Sequence, residues 1–473
     1  MLQTLKNAWR TKEIRNKIIF TLFILLLYRI GTVVPVPFVD ANNFAGQFNG
    51  TILQYMDILS GGSLSATTLF ALGVSPYINA SIIIQLLSVV FPKLAELAKN
   101  DKKKMGYITR IVTVALAIVT GLGYYLLLKN SDGSLAPQAT QKGSAWFYAI
   151  VIIACYVAGA SLITWLADRI NERGIGNGIS MILFANIVAT LPAQVYEMLD
   201  YVVIPTFEYT NKAWAYVIVS VLFALALLAI VLAMTVFVIF VTGSERRIPV
   251  QYSKRVVGRK MYGGQNTHLP IKLNMTGVMP VIFASSIVSL VPTILAFFGI
   301  TGKGDSGWDT FARIIGSNGV IYPIALFVLI IGFAYFYTQI TFDPNEVANN
   351  LRKQGGTIRG IREGRPTADY IKKILNKITL AGALFLSIIA VVPVIAGPHV
   401  IQHLIEWILT GAAGGDASMI SSYASYFEST AQSLTSTFTF GGTSLIIVVG
   451  VALETFRDLE AQLTMRSYKG FLN

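Results

Sequence analysis

The sequence predicts an all-α polytopic membrane protein with about ten transmembrane helices. Of its 473 residues, 54% are hydrophobic and only 13% are charged, whereas about a quarter of the residues in a soluble domain are charged. Apolar runs close to the roughly 20 residues that a helix needs to cross a bilayer recur along the chain. Basic residues collect in alternate connections between those runs, which is the usual signature of membrane topology.

The apolar runs define the spans in chain order. The first run follows a polar, basic N-terminal stretch and contains no small-residue cleavage site, so we expect it to be a retained helix. The ten predicted spans are 18–34, 74–91, 107–128, 145–167, 179–193, 214–241, 275–298, 320–341, 378–396 and 438–455.

The distribution of basic residues orients these spans. An even number of crossings places both termini on one side, and that side carries 31 of the 37 basic residues, against five on the other. Because cytoplasmic connections are enriched in Lys and Arg, we predict that both termini are cytoplasmic.

The stretch 57–73 does not fit a lipid-facing helix, because it combines moderate hydrophobicity with many Gly, Ser and Thr residues. Irregular backbone at membrane depth is tolerated only where protein or a water-filled cavity satisfies its polar groups. The stretch therefore indicates either a re-entrant half-helix beside a cavity or an amphipathic loop outside the membrane.

Several polar side chains interrupt the predicted spans, notably Asn79, Gln85, Asn186 and Ser286. Such residues either join helices by hydrogen bonds or line a polar path, and the sequence leaves both readings open. Arg29 is the one charged residue deep within a run, and we expect it to snorkel outward in a structural role.

Two basic connections, 243–273 and 342–377, are unusually long and contain Gly, Pro and aromatic residues. The alternating pattern over 247–253 predicts a β-hairpin arm in the first of them. Structured basic loops suit the docking of a partner, and attraction to anionic lipid would favour basic residues there as well.

The sequence offers no catalytic constellation. It contains no phosphate-binding loop, and the glycines of 174–178 lack the preceding strand of a dinucleotide site, so they predict a tight interhelical turn. His399 and His403 have only Glu406 nearby, which does not complete a metal site. We therefore expect no cofactor, no metal and no enzymatic activity.

Two other classes of membrane protein are disfavoured. An intramembrane enzyme would need catalytic groups paired within its spans, and the runs contain no such pair. A secondary transporter usually places ionisable groups near the membrane midplane, where this sequence has almost none apart from Arg29.

Seven motifs follow one another along nearly the whole chain. They are LGVSPYINASIIIQLL over 72–87, ERGIGNGIS over 172–180, RRIPVQYS over 246–253, PVIFASS over 280–286, NEVANNLRKQGG over 345–356, FGGTS over 440–444 and QLTMRSYKGF over 462–471. Together they resemble the bacterial SecY/Sec61-alpha family, the channel-forming subunits of the Sec protein translocon. The resemblance implies a passive protein-conducting channel in the bacterial plasma membrane, which moves unfolded secretory polypeptides across it and membrane segments laterally into it.

The resemblance also implies a domain organisation. Two pseudo-symmetric halves of five helices, residues 1–197 and 214–473, would be joined by an outer hinge at 198–213 and open like a clamshell. A plug over about 57–72 would rest in the outer vestibule and move when a polypeptide enters. The residues at its centre would be Ser60, Gly61, Gly62, Ser63 and Leu64.

Individual roles follow from aligning the motifs. A pore ring of six apolar side chains would comprise Val74, Ile78, Leu183, Ile187, Ile282 and Ile447. A lateral gate between the helices that begin at Val74 and Met275 would include Asn79, Gln85, Ser286 and Leu290.

The resemblance implies partners as well. The two long loops would dock the SecA motor ATPase and the ribosome, including its RNA, through Arg246, Arg247, Lys254, Arg255, Arg359 and Arg362. Glu363 stands where the family commonly has proline. SecE would clamp the two halves, SecG would be an accessory subunit, and a preprotein with a signal sequence would be the substrate.

Overall fold

The computed structural model describes residues 2–40, 52–130, 133–135, 145–198, 214–252, 255–257, 260–262, 266–300, 307–316, 319–397 and 441–465. Most of the predicted hinge at 198–213 lies outside these ranges, and so do His399, His403 and Lys254. The expectation that His399 and His403 do not complete a metal site is therefore untested.

Helices dominate the described chain. Up to residue 198 they are α1 (Leu2–Arg10), α2 (Lys12–Gly31), α3 (Ile52–Ser60), α4 (Ser75–Val90), α5 (Pro92–Asn100), α6 (Lys102–Asn130), α7 (Ala145–Arg173) and α8 (Gly178–Met198). Beyond residue 213 they are α9 (Trp214–Gly243), α10 (Met279–Phe297), α11 (Gly307–Ile315), α12 (Ile321–Thr341), α13 (Pro344–Lys353), α14 (Arg365–Ala396) and α15 (441–465).

Each of the ten predicted spans coincides with a helix of the structure. By length and composition, six helices in the described part of the chain could cross a membrane, or seven if the bent pair α4 and α5 counts as one span. The apolar part of α8, Gly178–Ala193, is shorter, and α2 and α15 carry several charged residues. The chain is thus a multi-pass helical protein, and the count of ten spans stays a prediction.

Local sequence sets the helix ends that shape the central region. Pro92 follows Phe91, and a residue before proline avoids the helical conformation. Phe91 is accordingly extended. The chain therefore bends by 118° between α4 and α5. Residues 174–177 form the tight turn predicted between α7 and α8, and Gly176 takes a φ of +77° there.

The two long basic connections form one sheet. Strand β1 (Glu245–Tyr252) pairs antiparallel with β4 (Asn266–Lys272), and β2 (Arg255–Val257) pairs with β3 (Lys260–Tyr262) further along the arm. This confirms the hairpin predicted from the alternation in 247–253. The second connection adds β5 (Gly356–Ile358) to the free edge of β1, which gives the strand order β4-β1-β5.

A buried apolar core fixes this sheet to the helices. One cluster of buried apolar side chains joins the sheet to α13 and α14. Its members are Ile248, Val250, Ile271 and Ile358 of the sheet, Leu351 of α13, and Ile371, Leu375 and Ile378 of α14. The described parts of both loops are therefore one folded unit on the end of α14.

The end of α15 joins several helices at one end of the bundle. The Arg457 guanidinium donates to the Thr242 carbonyl at the end of α9, with a distance of 2.9 Å. The Asp458 carboxylate accepts from the Gly176 backbone N–H at 3.1 Å, in the turn before α8. Residues from both predicted halves thus meet on α15.

Candidate functional site

The six side chains predicted to form a ring are brought together. They belong to one contiguous buried apolar cluster, and none is more than 5% exposed. Ile78 follows Val74 by four residues, and Ile187 follows Leu183 by four, so each pair occupies one helix face. Ile282 lies in the first turn of α10, and Ile447 lies in α15. All six thus lie in one buried cluster, and the ring that they were predicted to form stays a prediction.

The end of α3 packs into the same buried cluster. Ile58 belongs to the same buried cluster, and Leu59 packs against it. Beyond Ser60 the chain continues through turns to Val74, which precedes α4. We call α3 and the turns 61–73 the plug segment.

The plug segment differs in detail from the prediction. One of the two readings of this stretch was a half-helix near 57–72; in the structure α3 ends at Ser60, and turns follow it. Gly61, Gly62 and Gly73 have φ values of +72°, +82° and +54°, which L side chains rarely adopt. The Ser-Gly-Gly sequence therefore ends the helix, and the irregular backbone predicted for this region lies after it.

Asp57 organises the first turn of the plug segment. Its Oδ1 accepts from the backbone N–H groups of Leu64 at 3.0 Å and Ser65 at 2.9 Å, and its Oδ2 accepts from the Ser65 hydroxyl at 2.8 Å. The Ser60 hydroxyl also accepts from the Leu64 N–H, at 3.1 Å. The turn is thus held by groups of the segment itself.

Surrounding helices hold the plug segment through side-chain donors. Tyr124 of α6 donates to the Leu64 carbonyl at 2.7 Å. The Asn186 amide of α8 donates to the Leu59 carbonyl at 2.8 Å, and Arg29 of α2 donates to the Gly61 carbonyl at 3.4 Å. Arg29 therefore turns inward, and the expectation that it snorkels outward was wrong.

Sequence reasoning missed part of this contact. Asn186 was recognised as a polar residue in a span, but Tyr28 and Tyr124 were hidden within apolar runs. The Tyr28 ring stacks on Phe70 of the plug segment, with centroids 5.3 Å apart, and its hydroxyl accepts from Asn186. A tyrosine inside an apolar run is a detectable signal, because its buried hydroxyl needs a partner.

The predicted gate residues lie on α4 and α10. Helices α4 and α10 pack together, and Ser286 is half-buried while Leu290 is 41% exposed. The Gln85 carbonyl accepts from the Tyr337 hydroxyl of α12, beside the aromatic contact between Tyr337 and Phe283. Gln85 thus contacts α12, and Asn79 is half-buried on α4.

The predicted docking residues are exposed where the structure describes their side chains. These are Arg246, Arg247, Arg359 and Arg362. Arg247 pairs with Glu245 at 2.8 Å, and for Arg255 only the backbone in β2 is described. Gly360 and Gly364, with φ of +80° and +89°, bracket the loop that presents Arg362. At the base of the sheet, burial and then the nearby Arg457 lower the pKa of Lys272.

Within the described residues, no three His, Cys, Asp or Glu side chains cluster as metal ligands would. The fold and the site together define a multi-pass helical membrane protein in which an irregular segment packs into a buried apolar cluster.

Comparison with known proteins identifies the family. The SecY family model matches residues 68–456. The protein translocase subunit SecY of Streptomyces galbus is 38% identical over 490 residues, with both chains fully covered. The chain belongs to the SecY family.

Solved structures support the same fold. A structure described as a protein-conducting channel matches with a TM-score of 0.58 at 16% identity, covering 94% of this chain and 92% of that one. Sec61 in a canine ribosome-channel complex from the endoplasmic reticulum matches with a TM-score of 0.54, with the same identity and coverage.

Proposed function

We propose that this chain is the pore-forming subunit of a Sec translocon, through which unfolded polypeptides cross a membrane. The observation that supports this most directly is the buried apolar cluster, which contains the six ring candidates together with Ile58 of α3. Family membership supports the same function, since the relative from Streptomyces galbus is named a protein translocase subunit.

The chemistry of the ring candidates suits this task. A narrow apolar constriction wets poorly and so resists ion flow. Its side chains offer no hydrogen bonds, so they can surround an extended polypeptide without selecting its sequence. In this proposal the plug segment closes the constriction at rest and leaves when a polypeptide enters.

Membrane segments would leave sideways, between α4 and α10. These two helices pack together and carry half-buried polar side chains, among them Asn79 and Ser286. The Gln85 side chain accepts a hydrogen bond from Tyr337 of α12. Opening this seam would expose a nascent helix to lipid, into which it would partition according to its hydrophobicity.

The driving force would come from a partner that docks on the sheet and its adjoining loops. The sequence contains no phosphate-binding loop, so nucleotide hydrolysis falls to another protein. SecA and the ribosome are the proposed partners, and exposed arginines such as Arg246 and Arg362 are suited to acidic protein surfaces or RNA phosphates. The resemblance to Sec61 in a ribosome-channel complex supports the second partner.

The assembly and its setting complete the proposal. The two halves, 1–197 and 214–473, would be clamped by SecE and accompanied by SecG in the bacterial plasma membrane. The excess of basic residues on one side supports cytoplasmic termini, and in this proposal the sheet is cytoplasmic as well.

Reconstitution tests the function. Vesicles that contain this chain with SecE and SecG receive SecA, ATP and a preprotein, and protease protection of the preprotein is scored. We expect ATP-dependent protection. Uptake of small solutes without any polypeptide movement would instead favour a secondary transporter and contradict the proposal.

A further inference from the structure

The C-terminal end of α3 is held by two side chains from different helices. Asn186 donates to the Leu59 carbonyl at 2.8 Å, and Arg29 donates to the Gly61 carbonyl at 3.4 Å. The last carbonyls of a helix have no partner within it, and a positive charge is favourable beside them. The Asn186 amide therefore supplies a hydrogen bond to this helix end, and the Arg29 guanidinium supplies a hydrogen bond and a positive charge.

Gly61 packs closely against the side chains of Arg29 and Asn186. A Cβ atom on Gly61 would lie 2.7 Å from the Arg29 Nη1 and 2.8 Å from the Asn186 Oδ1. Both groups thus reach the same side of one residue. The Asn186 amide nitrogen also donates to the Tyr28 hydroxyl at 2.9 Å. This second hydrogen bond fixes the orientation of the Asn186 side chain.

The plug segment can keep its own turn when these contacts break. Asp57 satisfies the Leu64 and Ser65 N–H groups from within the segment, so leaving the site does not require the turn to unfold. The contacts with Asn186 and Arg29, by contrast, must be lost, because those donors belong to α8 and α2.

Arg29 and Asn186 could also form a hydrogen bond with each other once the plug segment has left. Asn186 is fully buried, and its Oδ1 accepts no hydrogen bond while the plug segment is in place. Departure of Gly61 removes the residue against which both Oδ1 and the Arg29 guanidinium lie, so the guanidinium can donate to that oxygen. A buried oxygen without a donor is unfavourable, and this exchange would satisfy it in the open state.

We propose that Arg29 and Asn186 form a latch on the plug segment, which determines how strong a signal sequence must be to open the channel. The proposal rests on the proposed function and assigns a specificity role to two residues outside the ring. The latch holds carbonyl groups of the backbone, so its strength depends on the donors and not on side chains of the plug segment.

The test compares a signal sequence of full strength with a weakened one in the reconstituted vesicles. Asn186→Leu removes the amide at similar volume, and Arg29→Met removes the guanidinium but keeps an extended chain. The matched control is Thr190→Val, one turn along α8, where the hydroxyl donates to the Ile187 carbonyl of its own helix at 2.9 Å. Resting ion leak is measured in parallel.

We expect each latch variant to raise export of the weak-signal preprotein by about twofold to tenfold, as the loss of one hydrogen bond predicts. Strong-signal export should stay unchanged, resting leak should rise, and Thr190→Val should match the wild type. Latch variants that behave like Thr190→Val overturn the proposal. Loss of strong-signal export in both variants also overturns it, because the pair would then be purely structural. Wild-type vesicles that move no polypeptide contradict the proposed function itself.

Discussion

Asp57 provides a sharp test of how the plug segment is built. The substitution Asp57→Ala removes the acceptor of the Ser65 N–H and of the Ser65 hydroxyl. The Leu64 N–H also loses Asp57 but keeps the Ser60 hydroxyl at 3.1 Å. The two neighbouring amides should therefore respond differently to one substitution.

The magnitude follows from the hydrogen bonds that are lost. A buried donor left without an acceptor costs about 1–3 kcal/mol, and each 1.4 kcal/mol is a factor of about ten in an equilibrium. Local opening at Ser65 should thus become roughly 5- to 150-fold more frequent. At Leu64 the increase should be smaller, because one of its two acceptors remains.

Hydrogen exchange of the protein in lipid nanodiscs measures both amides. Amides in the middle of α4 serve as the internal reference, and Asp57→Asn is the matched variant, since it keeps one oxygen that can accept from both backbone N–H groups. We expect fast exchange at Ser65 in Asp57→Ala and a smaller change in Asp57→Asn. Equal exchange of Ser65 in the wild type and in Asp57→Ala would refute the account of the turn.

Three further outcomes are expected. Arg362→Glu should abolish most SecA-driven translocation in vesicles while the protein stays folded, because it reverses an exposed charge on the docking loop. Gln85→Leu should raise export of a weak-signal preprotein, since it removes the acceptor of the Tyr337 hydroxyl, and Tyr337→Phe should add little to it in a double-mutant cycle. Gly61→Ala should raise the resting ion leak, because a Cβ there meets the two latch side chains.

Matched controls separate these effects from general damage. Lys353→Glu makes the same charge reversal on the exposed face of α13, and equal loss of translocation in both variants would argue against a specific role for Arg362. Gly62→Ala carries the same positive-φ strain as Gly61→Ala but meets no atom within 4 Å. An equal leak in both glycine variants would attribute the effect to backbone strain alone. If Gln85→Leu and Tyr337→Phe had additive effects on weak-signal export, the hydrogen bond between these two side chains would not be what holds the proposed gate closed.

The spans and the hairpin could be predicted because their signals are local. An apolar run or an alternating stretch determines its own secondary structure with little help from the rest of the chain. The order of the motifs also selected six residues that share one buried cluster, although Val74 lies near the start of the chain and Ile447 near its end.

The features that were missed depend on contacts between distant segments. Strand β5 has three residues, too few for a periodic pattern, and it exists because β1 offers a free edge. The inward direction of Arg29 depends on the Gly61 carbonyl, which only the folded plug segment places there. The end of α3 was misplaced because Ser60 and Gly61 were treated as parts of one half-helix rather than as its stop signal.

The strand β5 has a mechanical consequence. Since it pairs with β1, the two loops cannot be displaced independently, and their shared core rests on the first turns of α14. Helix α14 has 32 residues, which corresponds to a rod about 48 Å long, and it packs along α12. A displacement of either loop would therefore act on the other loop and on the same helix, α14.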